Sequence, residues 1–196
     1  YDDQIVFENQ NFTINKGQKL LIHGPSGCGK TTLINLMSGL LQSKFGKILF
    51  ENENLCKLTE NQLDKLRAKN FGLIFQRLHL LNYLNVEQNI QLANLTLNSF
   101  DMNSLIEDLG LSDKRKSKIR QLSVGEAQRV AIARAIANKP KVIFADEPTS
   151  ALDENNSEKV MKLLFAQTEK YNSTLIVSSH DVRIKNKFSI FLKLGL

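Results

Sequence analysis

Apolar and polar positions change rhythm twice along the chain. Residues 4–7 and 11–15 predict short strands ahead of a Lys16-Gly17 turn, and QKLLIH at 18–23 predicts a strand running into a glycine-rich loop at 24–30. Helical spacing follows from that loop through Met37, with Gly39 as its stop. GKILF at 46–50 reads as another strand, Thr59 as the cap of a helix through about Lys69, and FGLIF at 71–75 as a buried strand. From Gln76 to about Lys139 the pattern becomes helix and loop. Amphipathic stretches occupy 86–97 and 101–109, a basic segment KRKSKIR occupies 114–120, and a long helix occupies 125–137. Strands return at 141–145, 174–178 and 188–194, separated by helices at 155–170 and from Asp181.

Strands alternating with helices at both ends predict an α/β fold with a mainly parallel sheet. The helical middle predicts an inserted α-helical subdomain at 76–135, between core segments 1–75 and 136–196 of a single domain, with an antiparallel β portion at the N-terminal side.

Composition narrows the class. Of 196 residues, 42% are hydrophobic and 23% charged, which excludes a disordered chain. The net charge of +6 suits an acidic partner such as a nucleotide, without choosing one. No run approaches the roughly 20 apolar residues of a membrane-spanning helix. Cys28 and Cys56 are too few for a disulfide framework and lie in no Cys/His cluster of zinc type, so a reduced compartment fits best. The chain opens on Tyr1-Asp2-Asp3-Gln4, which is no signal peptide, and without an initiator Met it reads as trimmed.

Two segments carry chemistry. Gly24-Pro25-Ser26-Gly27-Cys28-Gly29-Lys30-Thr31 fits G-x-x-x-x-G-K-[ST] between a strand and a helix. Glycines let successive N–H groups face phosphate oxygens, and the helix start adds positive potential. Lys30 would place its charge on the β- and γ-phosphates, Thr31 would ligate Mg²⁺, and Thr32 follows in the first helical turn. Cys28 sits at an unconstrained position of the loop. The second segment, VIFADE at 142–147, ends a buried strand with two acids. Asp146 would hold Mg²⁺, and Glu147 would orient or deprotonate the attacking water. Together the two segments define only a broad class, a P-loop NTPase core with Mg²⁺ at its phosphates.

Further segments narrow that class: Gln76 directly after FGLIF, LSVGE at 122–126 before QRVAIARAI, SALD at 150–153 after DEPT, and His180 after TLIVSS. In this order they closely resemble the nucleotide-binding domain of ABC transporters over nearly the whole chain. FQRLHLLNYLNVEQNI and QRVAIARAIANKPKVIFADEPTSALD are most similar to the group of lipoprotein-release, macrolide-efflux and cell-division ATPases, with amino-acid importer ATPases as a close alternative. The resemblance implies an ATP-hydrolysing subunit that powers a membrane permease from the cytoplasmic face. It assigns Gln76 to sensing the γ-phosphate and metal, and Ser123 and Gly125 to the γ-phosphate of ATP on a second copy arranged head-to-tail. It assigns Asp153 to the dimer interface, His180 to the γ-phosphate, and Tyr1 to stacking on adenine. The segment Arg77–Tyr83 would meet the permease. Against the family's usual extent, an N-terminal strand and C-terminal helices are missing.

Two departures stand out. The family's LSGGQ is LSVGE here, with Val124 for glycine and Glu126 for glutamine, so a carboxylate would face a γ-phosphate. A soluble ABC-type ATPase acting on nucleic acid or the ribosome is the alternative. It is disfavoured because the interval from Lys30 to Ser123 is too short for the coiled coil of repair ATPases, and translation members carry two cassettes. A regulator without turnover is opposed by Glu147 and His180. The 114–120 segment reads as solvated basic surface, with no interleaved aromatics for stacking bases.

Overall fold

The computed structural model describes residues 11–93 and 101–195. Its main sheet contains five strands: β1 (Lys19–His23), β4 (Phe71–Ile74), β5 (Val142–Asp146), β6 (Thr174–Ser179) and β7 (Ile190–Lys193). They run in the order β4-β5-β6-β1-β7, and every pairing is parallel. Two short strands, β2 (Leu49–Phe50) and β3 (Glu53–Asn54), form a separate antiparallel hairpin. Among the helices, α1 covers Lys30–Met37, α2 Glu60–Asn70, α3 Val86–Gln91 and α4 Met102–Asp108. Further along, α5 covers Val124–Ile136, α6 Glu154–Lys170 and α7 Val182–Lys185.

Parallel strands need crossovers, and crossover helices cover both faces, so the strands are apolar on both sides. On one face Leu20, Ile22, Phe71, Phe144 and Ile176 pack with Leu33 and Ile34 of α1 and Leu63 and Leu66 of α2. On the other, Leu21, Ile74, Ile143, Ala145, Leu175 and Val177 pack with residues of α3 to α6 such as Ile90, Leu105, Ile132 and Met161. The result is a three-layer α/β/α arrangement.

Helix ends follow local chemistry. Thr59 and Gln62 form a reciprocal capping box at α2, Asn85 and Gln88 do so at α3, and Asp101 caps α4. Gly39 adopts φ 69° just past α1, as a helix stop requires. The close approach of α5 to β4 depends on Gly72. A Cβ there would lie 2.4 Å from the Ala135 carbonyl oxygen.

Several expectations are corrected. Residues 11–15 form no strand: Asn15 instead closes the Lys16-Gly17 turn, its carbonyl accepting from Gln18 N–H at 3.1 Å. The strand expected at 46–50 shrinks to Leu49–Phe50. Its partner β3 went unforeseen, because the turn between them uses Glu51 (φ 47°) and Asn52 (φ 69°) instead of a glycine. Of the amphipathic stretch at 86–97, α3 takes Val86–Gln91, and residues 94–97 lie outside the described residues. The basic segment is not simply solvated. Arg115 and Lys116 both bind Glu87, Lys118 Nζ donates to the Tyr83 carbonyl at 2.7 Å, and Lys114 Nζ lies 3.5 Å from Glu126. The strand expected at 4–7, and Tyr1, lie outside the described residues. Among the described residues no helix is long and apolar enough to cross a membrane.

Candidate functional site

In a parallel sheet every strand delivers its following loop to the same edge, where α/β folds bind ligands. Here four adjacent strands do so. β1 leads into Gly24–Gly29, β4 into Gln76, β5 ends at Asp146 and Glu147, and β6 leads into His180. Residues scattered from 24 to 180 thereby converge.

The phosphate loop turns through Gly27 (φ 80°) and Gly29 (φ 95°), and Gly29 caps α1. Pro25, Ser26 and Gly27 are exposed, and a Cβ on Gly27 would meet nothing within 4 Å. At Gly24 a Cβ would sit 2.2 Å from the Leu194 carbonyl oxygen, so the loop is anchored against the chain after β7. Cys28 is half-buried against the core beside α1 and α2. Lys30 is only 6% exposed, and its Nζ donates to the Gly24 and Pro25 carbonyls at 2.9 Å each. The same Nζ lies 3.5 Å from Glu147 Oε1. A buried cation held mainly on carbonyls of its own loop is charge stored at a site for anions.

Thr31 Oγ1 donates to Asp146 Oδ2 at 2.8 Å, while Ser178 Oγ donates to Asp146 Oδ1. Glu147 follows with a left-handed backbone (φ 48°), a conformation that costs a non-glycine residue of order 1–3 kcal/mol. Its N–H holds that turn by donating to the Ser178 carbonyl at 3.0 Å. Its carboxylate is fixed from two sides. Ser179 Oγ donates to Oε2 at 3.1 Å, and His180 contributes its N–H at 3.2 Å and its ring Nδ1 at 2.7 Å to Oε1. Nδ1 is the ring nitrogen that meets the carboxylate, so Nε2 is the one turned away from Glu147. The His180 side chain is 56% exposed while Glu147 is 7%, so the ring stands at the mouth and the carboxylate beneath it. Asp181 accepts from Thr149 Oγ1 at 3.3 Å and is held below the usual carboxylate range, chiefly by Arg183.

Gln76 is exposed and lines an open groove together with Thr31, Asn35 and Asp146. Thr31 and Asp146 offer oxygens, and the Gln76 amide adds another on the same groove. This hard-donor set fits Mg²⁺, which takes few protein ligands beside substrate phosphates. Thr32 lies in the first turn of α1, half-buried.

Ser123, Gly125 and Asp153 form a second group. Ser123 caps α5 in a capping box, its Oγ accepting from Glu126 N–H at 3.2 Å and its N–H donating to Glu126 Oε2 at 2.7 Å. Those bonds to Ser123, followed by Lys114, hold the Glu126 carboxyl below its ordinary range. The glutamate in LSVGE is therefore occupied with its own helix start. Val124 is 57% exposed. Asp153 caps α6 by accepting from Asn156 N–H at 2.9 Å, and a Cβ on Gly125 would lie 3.2 Å from Asn156 Oδ1. No hydrogen bond joins this group to the phosphate loop among the described residues. Ser178 and Ser179, which brace the two acids, were not singled out from sequence. Their only signal was a pair of hydroxyls closing an apolar strand.

Comparison with known proteins agrees with this geometry. Residues 7–150 match the ABC transporter family. The lipoprotein-releasing system ATP-binding protein LolD of Treponema denticola is 37% identical, over 97% of this chain and 87% of that protein. The putative hemin import ATP-binding protein HrtA of Staphylococcus haemolyticus is 36% identical, over 91% of this chain and 83% of that protein. Among solved structures, the dimeric post-hydrolysis state of the ATP-binding cassette MJ0796 bound to ADP and Pi superposes with a TM-score of 0.88. It is 32% identical, over 97% of this chain and 86% of that one. The nucleic-acid alternative gains no support from these matches. With the motifs, the sheet order and the converging side chains in agreement, the chain belongs to the ABC transporter family, as an ATP-hydrolysing subunit of a transporter.

Proposed function

We propose that this chain binds Mg²⁺ and ATP between its phosphate loop and the signature segment of a second copy, and hydrolyses the ATP to drive a membrane permease. The observation that carries the proposal is the chain of contacts from Lys30 through Glu147 to His180, beside the Thr31–Asp146 pair.

Lys30 Nζ leaves the Gly24 and Pro25 carbonyls for the phosphates. This also separates it from Glu147, whose carboxylate is then free to accept a proton. Glu147, held by Ser179 and His180, takes the proton of a water whose oxygen attacks the γ-phosphorus, and the bond to the ADP oxygen breaks. His180 Nε2 and Gln76 face the γ-phosphate side. Thr31, Asp146 and Gln76 would hold Mg²⁺, which when bound draws charge off the phosphate oxygens. Gly24 to Thr32, Cys28 included, line the phosphates, and Tyr1 is proposed for adenine. Helices α3 to α5 belong to a helical subdomain at 76–135 within the single domain.

Ser123 and Gly125 complete the other copy's site, and Asp153 lies at the junction. Two such contacts close a two-fold dimer. The permease meets Arg77–Tyr83, where Tyr83 is 71% exposed while Leu78, Leu80 and Leu81 are half-buried. In this reading the chain works at the cytoplasmic face of the membrane, and the relatives named for lipoprotein release support a transporter of that type.

The test is Glu147→Gln. It keeps the shape and loses the base, so hydrolysis should fall by about 10²–10⁴-fold while ATP binding persists. Light scattering should find it dimeric with Mg²⁺-free ATP and monomeric with ADP. Wild-type turnover would remove Glu147 from the mechanism, and a monomer in saturating ATP would refute the sandwich.

A further inference from the structure

Residues 75–85 link β4 to α3 without regular structure, so their carbonyls need partners from elsewhere. One partner is distant in sequence. Arg134, near the C-terminal end of α5, donates from Nη2 to the Leu78 carbonyl and from Nη1 to the His79 carbonyl, both at 2.6 Å. It makes no ion pair among the described residues, and burial alone pulls its pKa below the ordinary arginine value. A half-buried guanidinium is thus committed to two successive carbonyls of one loop.

The loop needs such a hold. His79 has a left-handed backbone (φ 48°) and packs edge-on against Phe75 at 5.2 Å between ring centroids. Further along, the buried Asn89 holds the same loop at Leu81, accepting from its N–H at 2.8 Å and donating to its carbonyl at 3.1 Å, which leaves the stretch nearer Gln76 to Arg134. Arg134 itself stands on a firm base, because the next residue, Ala135, presses its carbonyl against Gly72 of β4. Gln76 lies between these two fixed points, on the groove with Thr31 and Asp146.

We infer that Arg134 is a positioning residue: its guanidinium fork pins the turn at Leu78–His79 and so sets where Gln76 is presented to Thr31 and Asp146. This rests on the proposed role of Gln76 at the γ-phosphate. A lysine cannot replace the fork, because one ammonium on a flexible stem does not span two carbonyls in a fixed plane.

The experiment compares Arg134→Lys and Arg134→Gln with wild type and Gln76→Ala. Trypsin cleavage after the exposed Arg77 reports the order of the loop directly. Arg134→Lys is expected to melt cooperatively, bind ADP within about twofold of wild type, lose about tenfold in kcat and be cut after Arg77 about tenfold faster. The double variant Arg134→Lys/Gln76→Ala should turn over no more slowly than Gln76→Ala alone, since one residue acts through the other. Unchanged cleavage and kcat in Arg134→Lys would overturn the inference, as would losses that multiply in the double variant. Loss of the folded state in both Arg134 variants would make the residue a general stability element and overturn it too. If Gln76→Ala hydrolyses at the wild-type rate, the Gln76 reading fails instead, and cleavage after Arg77 decides Arg134 on its own.

Discussion

Glu87 offers a sharp test of how the helical segment is held together. It lies on the first turn of α3, 9% exposed, and its carboxylate binds both Arg115 and Lys116 from the basic stretch. The backbone joins the same seam, with Val86 N–H donating to the Ser117 carbonyl at 3.1 Å and Glu87 N–H to the Arg115 carbonyl at 3.2 Å. The hydrogen bond from Arg115, then that from Lys116, brings the Glu87 carboxyl down to about 2, against an opposing push from burial. At about 1.4 kcal/mol per pH unit the full depression from the ordinary 4.5 corresponds to about 3 kcal/mol. Lys116 is 75% exposed, so solvent screens its share, and about 1–2 kcal/mol is the working figure for Glu87→Gln at pH 7. Because the folded-state value lies below the unfolded one, this stabilisation is present above about pH 5 and fades as pH falls from there toward 2. Urea unfolding of wild type and Glu87→Gln at pH 7 and pH 4 measures it, and the gap between the two proteins should narrow at pH 4. Equal midpoints at pH 7, or a gap that does not depend on pH, would refute the reasoning.

Gly72→Ala should destabilise by about 1–3 kcal/mol or more in the same assay, since the new methyl meets backbone at Ala135 that cannot swing away. Lys30→Ala removes the cation held on Gly24 and Pro25, and nucleotide affinity by fluorescence titration should collapse along with turnover; unchanged values would remove Lys30 from the site. Ser123→Ala loses the α5 cap and should cost about 1 kcal/mol. Glu126→Gln keeps the capping box and loses only a half-exposed contact to Lys114, so thermal unfolding should shift by the equivalent of no more than about 0.5 kcal/mol.

Much of this protein was legible along the chain because the physics involved is local. The Gly24–Thr31 loop announces itself through glycines that permit positive φ and a lysine at the helix start. Thr59 marks a helix start because a cap and its N–H partner lie within three residues. Apolar runs such as Val142–Ala145 identify strands buried on both faces. What the chain could not show is whatever depends on strand order. Glu147 meets Lys30 and His180 only because β5, β6 and β1 lie side by side and release their loops at one edge. Arg115 read as solvated surface until α3 brought Glu87 beside it, and Arg134 read as one more helix residue until β4 sent its loop across α5. Side-chain periodicity records which face of an element is buried, whereas a hydrogen bond between distant residues is decided by how whole elements pack. The ion pairs and loop anchors therefore emerged only with the tertiary structure.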